Sequence, residues 1–264
     1  MPRANRYYLP SLVWHITHRC HRNAFLLEFA HDRRRYLHWV FEAKKRFGLS
    51  VLDYMITSNH IHLLIKDNGA DVIAQSMQLI AGRTTQEYNQ CKAHHGAFWE
   101  DRYHATAIGT DEHLHRCIVY IDLNMVRAGV VEHPGQWLAS GYREIQNPPE
   151  RYAVIDLQQL IESCGFTEAK EFQRAHYQWI EEALAGKLTR AAQWSEAIAV
   201  GGSAFVEQVQ KELGVEAMYC SFERGEQTSV LREPSAPYDG YFAGENDALR
   251  SENTVLWDKN AAIP

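Results

Sequence analysis

No stretch of this 264-residue chain approaches 18 consecutive apolar residues, so nothing in it reads as a membrane-spanning helix. The opening MPRANRYYLP lacks the apolar core of a secretory signal. Cysteine is sparse and scattered: Cys20, Cys91, Cys117, Cys164 and Cys220 stand singly, with no CxxC pair. An odd, dispersed set fits free thiols in a reducing compartment better than a disulfide framework. The expectation is a cytoplasmic protein. Internal repeats and low-complexity tracts are also missing. So is the net positive charge common in proteins that bind nucleic acid, since 27 Lys and Arg against 33 Asp and Glu leave −6.

That last absence dissolves when charge is counted by segment. Residues 1–50 hold 10 cations against 3 acids (10 − 3 = +7). Residues 1–150 hold 17 against 15 (+2), and residues 151–264 hold 10 against 18 (−8). Histidine divides more sharply, with 13 of 14 before residue 150. A basic, His-rich front and an acidic back suggest two functional units. Asn147-Pro148-Pro149 marks the expected boundary, because successive prolines resist a continuous helix. The expected domains are 1–147 and 148–264.

Along the front unit, Ser11–Thr17 alternates loosely and reads as a strand. His31–Phe47 carries Tyr36, Val40, Ala43 and Phe47 at helical spacing, with Gly48 where a C-cap belongs. Val51–Thr57 and Ile61–Lys66 read as a strand pair joined through Ser58-Asn59. Asp71 is expected to cap a helix reaching about Tyr88, Tyr103–Ile108 to form a strand, and Thr110–Arg127 a helix entered through Thr110-Asp111 and ended by Gly129. Strands mixed with helices, some adjacent in sequence, predict an α+β fold with a mainly antiparallel sheet packed with helices. Residues 151 to about 215 read as mainly helical. Thr189–Ala199 and Ser203–Leu213 flank Val200-Gly201-Gly202, a spacing that fits a helix-turn-helix or an ordinary helical hairpin. After residue 224, Pro, Gly and acids dominate, and the tail is expected to be irregular.

Two segments carry chemistry. In Ser58-Asn-His60-Ile-His62-Leu-Leu-Ile65, a strand would put His60 and His62 on one face, about 7 Å apart, with Ile61 and Leu63 toward the core. Neutral imidazoles sharing a face suit a metal ion. The pair alone fits structural histidines equally well. In the 110–127 helix, Leu114, Cys117, Ile118, Ile121 and Met125 form the apolar stripe. His113, Arg116, Tyr120, Asn124 and Arg127, spaced 3, 4, 4 and 3, share another face. Tyr120 and Asn124 lie one turn apart, close enough to reach one phosphate.

Together these segments resemble the single-tyrosine HUH transposases, most closely the REP-associated tyrosine transposases of bacteria. The likeness rests on His60-Ile61-His62, on Tyr120-Ile-Asp-Leu-Asn124-Met-Val-Arg127-Ala-Gly129, and on Phe98-Trp-Glu-Asp-Arg102-Tyr103, which is similar to the family's Trp-x-x-Arg-aromatic segment. It spans roughly residues 8–145. Ser58 and Met125 depart from frequent family residues without removing a chemical group. The resemblance implies a ferredoxin-like HUH nuclease core. It also implies a divalent metal, Mg²⁺ or Mn²⁺, held by His60, His62 and the Asn124 carbonyl oxygen. Tyr120 would attack a DNA phosphate, leaving a 5′-phosphotyrosine and a free 3′-OH, in a field supplied by the metal, Arg116 and Arg127.

The implied partner is single-stranded or hairpin DNA, with no membrane and no small-molecule cofactor, acting as monomer or homodimer near the nucleoid. Arg3, Arg6, Arg19, Arg22 and Arg33-Arg34-Arg35, interleaved with Tyr7, Tyr8, Trp14 and Tyr36, combine phosphate contacts with stacking surfaces, although Trp14 suits the core. Arg102 joins these as a DNA-binding candidate. Two other readings remain open from sequence: a hairpin-binding regulator without turnover, and a metal hydrolase using His60, His62 and His104.

Overall fold

A computed structural model describes residues 9–233 except 94, 111, 187 and 190. Arg3, Arg6, Tyr7, Tyr8 and Asp111 therefore lie outside the described residues, as does the tail from 234 onward.

The first six elements are β1 (Val13–Arg19), α1 (Ala30–Phe47), β2 (Ser50–Ile56), β3 (His60–Lys66), α2 (Val72–Lys92) and β4 (His104–Ile108). All of these were expected, with ends displaced by up to four residues. Gly48 closes α1 in the left-handed region at φ 75°, its N–H donating to the Lys44 carbonyl, a geometry that favours glycine. Asp71 does not cap α2 through its carboxylate. It sits at φ 63° and starts the helix through its backbone carbonyl, which accepts from the Gln75 N–H.

These strands run in the order β2-β3-β1-β4, each antiparallel to its neighbour. This βαββαβ order is the ferredoxin-like arrangement. The two faces follow from the strand period of two. On one face His18 stacks on Trp99, which meets Tyr36 of α1 edge to face, and α1 packs along α2. The opposite face carries His15, Thr17, Arg19, His60 and His62, as the β1–β3 register shows.

That second face is covered by α3 (Glu112–Asp122), α4 (Asn124–Arg127) and the helices that follow, α5 (Gly141–Gln146), α6 (Leu157–Ser163), α7 (Ala169–Ala185) and α8 (Gln193–Glu196). The single helix expected over 110–127 is interrupted at Leu123, whose ψ of 8° breaks the α conformation. Gly129, at φ 68°, ends α4 with the Val130 N–H reaching back to Met125 and its own N–H to Val126.

The back of the chain departs most from expectation. The helix read over Thr189–Ala199 is only the four-residue α8, and Ala199–Gly201 is β5, a buried strand parallel to β4. After α9 (Ser203–Leu213), β6 (Ser221–Arg224) and β7 (Ser229–Arg232) complete a seven-stranded sheet, β2-β3-β1-β4-β5-β7-β6. Val200-Gly201-Gly202 is thus a strand end, not the turn of a helix-turn-helix. Three residues are too few to show a strand period, and Ala199 and Val200 also suit a helix. The 147/148 boundary is a change of composition along the chain. In space both sides share one apolar core running from Leu9 to Leu231. Lys44 ties the join, donating to the carbonyls of Ala153, Val154 and Ile155. Among the described residues no helix is long and apolar enough to cross a membrane.

Candidate active site

The pleat of β3 turns His60 and His62 to one side while Ile61 and Leu63 are fully buried on the other. The rings converge to a centroid separation of 5.0 Å. A tight connection fixes the first ring: His60 Nδ1 lies 2.7 Å from Asn59 Oδ1 and 3.0 Å from Thr57 Oγ1, and the Thr57 hydroxyl donates to the His60 carbonyl. The Asn59 carbonyl oxygen can only accept, so Nδ1 carries the proton and the lone pair is on Nε2.

Helix α3 crosses the same face and presents Tyr120, whose ring meets His62 edge-on at 6.1 Å and His15 at 6.2 Å. The interruption at Leu123 re-aims the following turn, and Asn124 Nδ2 comes 3.0 Å from His62 Nε2. Arg127 places its guanidinium 4.1 Å over the Tyr120 ring and donates to the Tyr120 carbonyl at 2.6 Å. Burial lowers the basicity of that guanidinium, and Tyr120 offsets part of the effect. His60, His62, Tyr120, Asn124, Arg127 and Arg19 line one open cavity of about 420 Å³.

Electrostatics favour neutral ligands here. His62 is held far below the ordinary imidazole range, first by burial, then by His60, His15 and the cations Arg127 and Arg19. A neutral imidazole can ligate a metal and a protonated one cannot. The donor set is therefore two imidazole nitrogens plus an amide. A half-turn of the Asn124 amide exchanges Nδ2 for Oδ1, the atom a metal requires. Among the described residues no group of three or more His, Cys, Asp or Glu could hold a metal. A carboxylate-rich cage for Mg²⁺ or Ca²⁺ is not what this site offers. Its mixed nitrogen and oxygen set fits a borderline ion such as Mn²⁺ that takes its other ligands from water or phosphate.

The remaining sequence candidates divide. Arg19 and Arg127 are in the cavity. Arg116 is not: it pairs with Glu112 at 3.1 Å and reaches Gln227 and Thr228. A shared helical face places it one turn before Tyr120, about 6 Å along the axis, where the β6–β7 turn covers it. Arg33 is occupied structurally, donating to the Leu27 and Glu28 carbonyls and lying 4.5 Å over Trp137. Arg22 and Arg34 are exposed, outside the cavity. Arg102 lines a separate cleft with His18, Trp99 and Tyr103. His104 turns to the Ala197 carbonyl at 3.0 Å and is not among the cavity residues, so the hydrolase reading loses its third ligand. Sequence reasoning missed His15, Asn59 and Ser195. His15 shares strand parity with Thr17 and Arg19, a signal that could have been followed. Ser195 arrives from the extension and has no such signal.

The site thus consists of a histidine pair on a ferredoxin-like sheet, faced by the helix-borne Tyr120. Residues 9–124 match the family model "Transposase IS200 like", a segment that contains His60, His62, Tyr120 and Asn124. Among solved structures, the chain is similar to the REP-associated tyrosine transposase bound to a REP hairpin, at 18% identity over 58% of this chain and 90% of that one, with a TM-score of 0.47. It is also similar to a candidate transposase from Deinococcus radiodurans R1, at 18% identity over 39% of this chain and 83% of that one, with a TM-score of 0.31. No curated protein matches the chain.

Proposed function

We propose that this protein is a transposase, a metal-dependent single-strand DNA nickase and strand transferase of the REP-associated branch. It would act on single-stranded or hairpin repeat DNA in the cytoplasm, at the nucleoid. The observation that supports this reading most is the convergence of Tyr120, His60, His62 and Asn124, from three separate elements, on one cavity. A pure DNA binder has no need of all four.

In this reading Tyr120 Oη attacks a phosphorus. The new Tyr–O–P bond forms as the P–O3′ bond breaks, the phenol gives up its proton, and the departing 3′ oxygen takes one up. The phosphodiester energy is kept in the 5′-phosphotyrosine, so a second strand's 3′-OH can reverse the step without ATP. A bound Mn²⁺ or Mg²⁺ would polarise the phosphate oxygens and offset transition-state charge. Arg127 fixes the tyrosine ring from one side while His62 and His15 pack its edges. Arg19, opposite His60 in the sheet, supplies a cation to the phosphate backbone at the cavity wall.

The test is incubation with hairpin-bearing single-stranded oligonucleotides and Mn²⁺ or Mg²⁺. A denaturation-resistant protein–DNA adduct is expected, absent in Tyr120→Phe. His60→Ala should abolish cleavage and leave hairpin affinity within several-fold. Hairpin binding with neither adduct nor cleavage would establish the regulator instead, and cleavage surviving Tyr120→Phe would remove the tyrosine mechanism.

A further inference from the structure

His15 is completely buried on β1, two residues before Thr17, the residue that pairs with His62. Its Nε2 lies 2.9 Å from His62 Nδ1, and its Nδ1 lies 2.5 Å from the backbone carbonyl oxygen of Trp194. The two rings stack with centroids 5.0 Å apart and an interplanar angle of 15°. Trp194 belongs to α8, in the acidic extension, outside the 9–124 segment that defines the family match.

The Trp194 carbonyl fixes the directions of these bonds. A carbonyl oxygen only accepts, so His15 Nδ1 must carry a proton. A neutral imidazole has one donor and one acceptor, so His15 Nε2 must accept. His62 Nδ1 then donates to it, which leaves the His62 lone pair on Nε2, the atom beside Asn124 in the cavity. The His62 tautomer is the same for either orientation of the Asn124 amide. The tautomer and orientation that an Nε2-ligating His62 requires are thus imposed by a carbonyl two links away.

The segment that follows Trp194 is itself held to β4. The Ala197 carbonyl accepts from Thr106 Oγ1 at 2.7 Å and from His104 Nε2 at 3.0 Å, and the Ile198 carbonyl accepts from the Ala107 N–H at 2.8 Å. The Trp194 ring also packs 6.4 Å from the Tyr120 ring, and Ser195 reaches the cavity wall. We infer that His15 is a positioning residue for His62, and that residues 194–198 of the C-terminal extension serve as the outer shell of the active site through it. The inference rests on His62 being a ligand; such outer-shell partners fix ring orientation and raise ligand basicity.

The experiment uses full-length protein with the variants His15→Leu, which removes both bonds, and His15→Gln, whose side-chain amide offers an acceptor and a donor about as far apart as the two ring nitrogens. His62→Ala is the control. Three readouts are taken: long-range ¹H–¹⁵N correlation of the histidine rings in metal-free protein, the carbonyl resonance of ¹³C-labelled Trp194, and Mn²⁺ binding by electron paramagnetic resonance. In the wild type, His62 is expected as a single Nδ1–H tautomer. In His15→Leu the tautomers should mix, the Trp194 carbonyl resonance should move, and Mn²⁺ affinity should fall about 10- to 100-fold. His15→Gln should restore all three, with affinity within about threefold of wild type.

An Nε2–H tautomer of His62 in the wild-type spectrum overturns the inference, whether or not His15→Leu folds. Wild-type tautomers and Mn²⁺ affinity in His15→Leu, or equal losses in the Gln and Leu variants, also overturn it and reduce His15 to a space-filling role. If wild type and His62→Ala bind Mn²⁺ alike, the metal reading of the proposed function fails separately, and the tautomer and Trp194 signals still decide the role of His15.

Discussion

Arg127 illustrates how much of the site depends on single side chains. Its guanidinium lies 4.1 Å over the Tyr120 ring and also bonds the carbonyl of the same residue, so one cation fixes both ring and backbone. Lysine can supply charge but neither the planar stack nor the fork. Arg127→Ala is expected to slow single-turnover nicking by about 10- to 100-fold, and Arg127→Lys to recover less than half of that loss on a logarithmic scale. Stability should fall by only about 1 kcal/mol, because a part-exposed site repacks with water. Full recovery by lysine would show that charge alone matters. At this scale the sequence was most legible for His60 and His62, whose strand spacing survives folding, while Tyr120 and Asn124 still reach one cavity although the break at Leu123 divides them between α3 and α4. It was least legible for Arg116, because helical phase says nothing of which turn another segment will cover.

At the scale of elements, β2, α3, α5 and α7 meet around a buried polar group. Asp122 of α3 accepts from His176 of α7 at 2.8 Å and from Ser140, just before α5, while Asp53 of β2 accepts from the Tyr54 N–H. Gly141 lets β2 and α5 approach, because an added Cβ would collide with Asp53 Oδ1 and lie 2.9 Å from the Tyr54 nitrogen. Asp53 Oδ2 is buried without a hydrogen-bond partner. Burial, then the nearby Asp122, push the Asp53 carboxyl well above the usual range, with Glu144 adding to the shift. A raised folded-state pKa means that the folded state holds the proton more tightly. Its contribution to stability is greatest below the unfolded value of about 4 and is lost as pH rises through the folded value. Asp53→Asn is expected to flatten the pH dependence of urea unfolding between pH 4.5 and 8 and to add about 1 kcal/mol at pH 8. An unchanged pH slope would mean that Asp53 does not titrate in the fold. None of this was readable from sequence, since Asp53 sits in an otherwise continuous apolar run with no hint of a partner 69 positions away. The strands themselves were readable because β1 alternates loosely and β2 and β3 are sustained β-rich runs, whereas β5 has only three residues.

For the whole molecule, the acidic extension poses the sharper question. Its −8 balance, set against the basic front, suggests a separate unit whose acids compete with DNA for that surface. The fold makes detachment costly. β5 pairs with β4, Phe172, Trp194, Ile198, Val200 and Leu231 are buried in the common core, and His176 is the partner of the fully buried Asp122. Ending the chain at residue 150 would open the β4 edge, strip that apolar surface and leave Asp122 buried without its histidine. Breaking a buried pair alone costs about 3–5 kcal/mol, a large share of the stability of an ordinary domain. The truncated protein is therefore expected to aggregate or to lose its cooperative unfolding transition, and an exposed β4 edge would add to the association. Thermal unfolding by circular dichroism with light scattering checks this. A soluble, cooperatively folding fragment of residues 1–150 would show that the extension is a removable cover after all. Competition between its acids and DNA is then better tested in the intact chain, by neutralising exposed extension acids such as Glu181 and Glu182 and measuring how the salt dependence of hairpin binding changes. A salt slope that stays put when those charges are removed would separate the extension's electrostatic role from its place in the core, leaving only the latter.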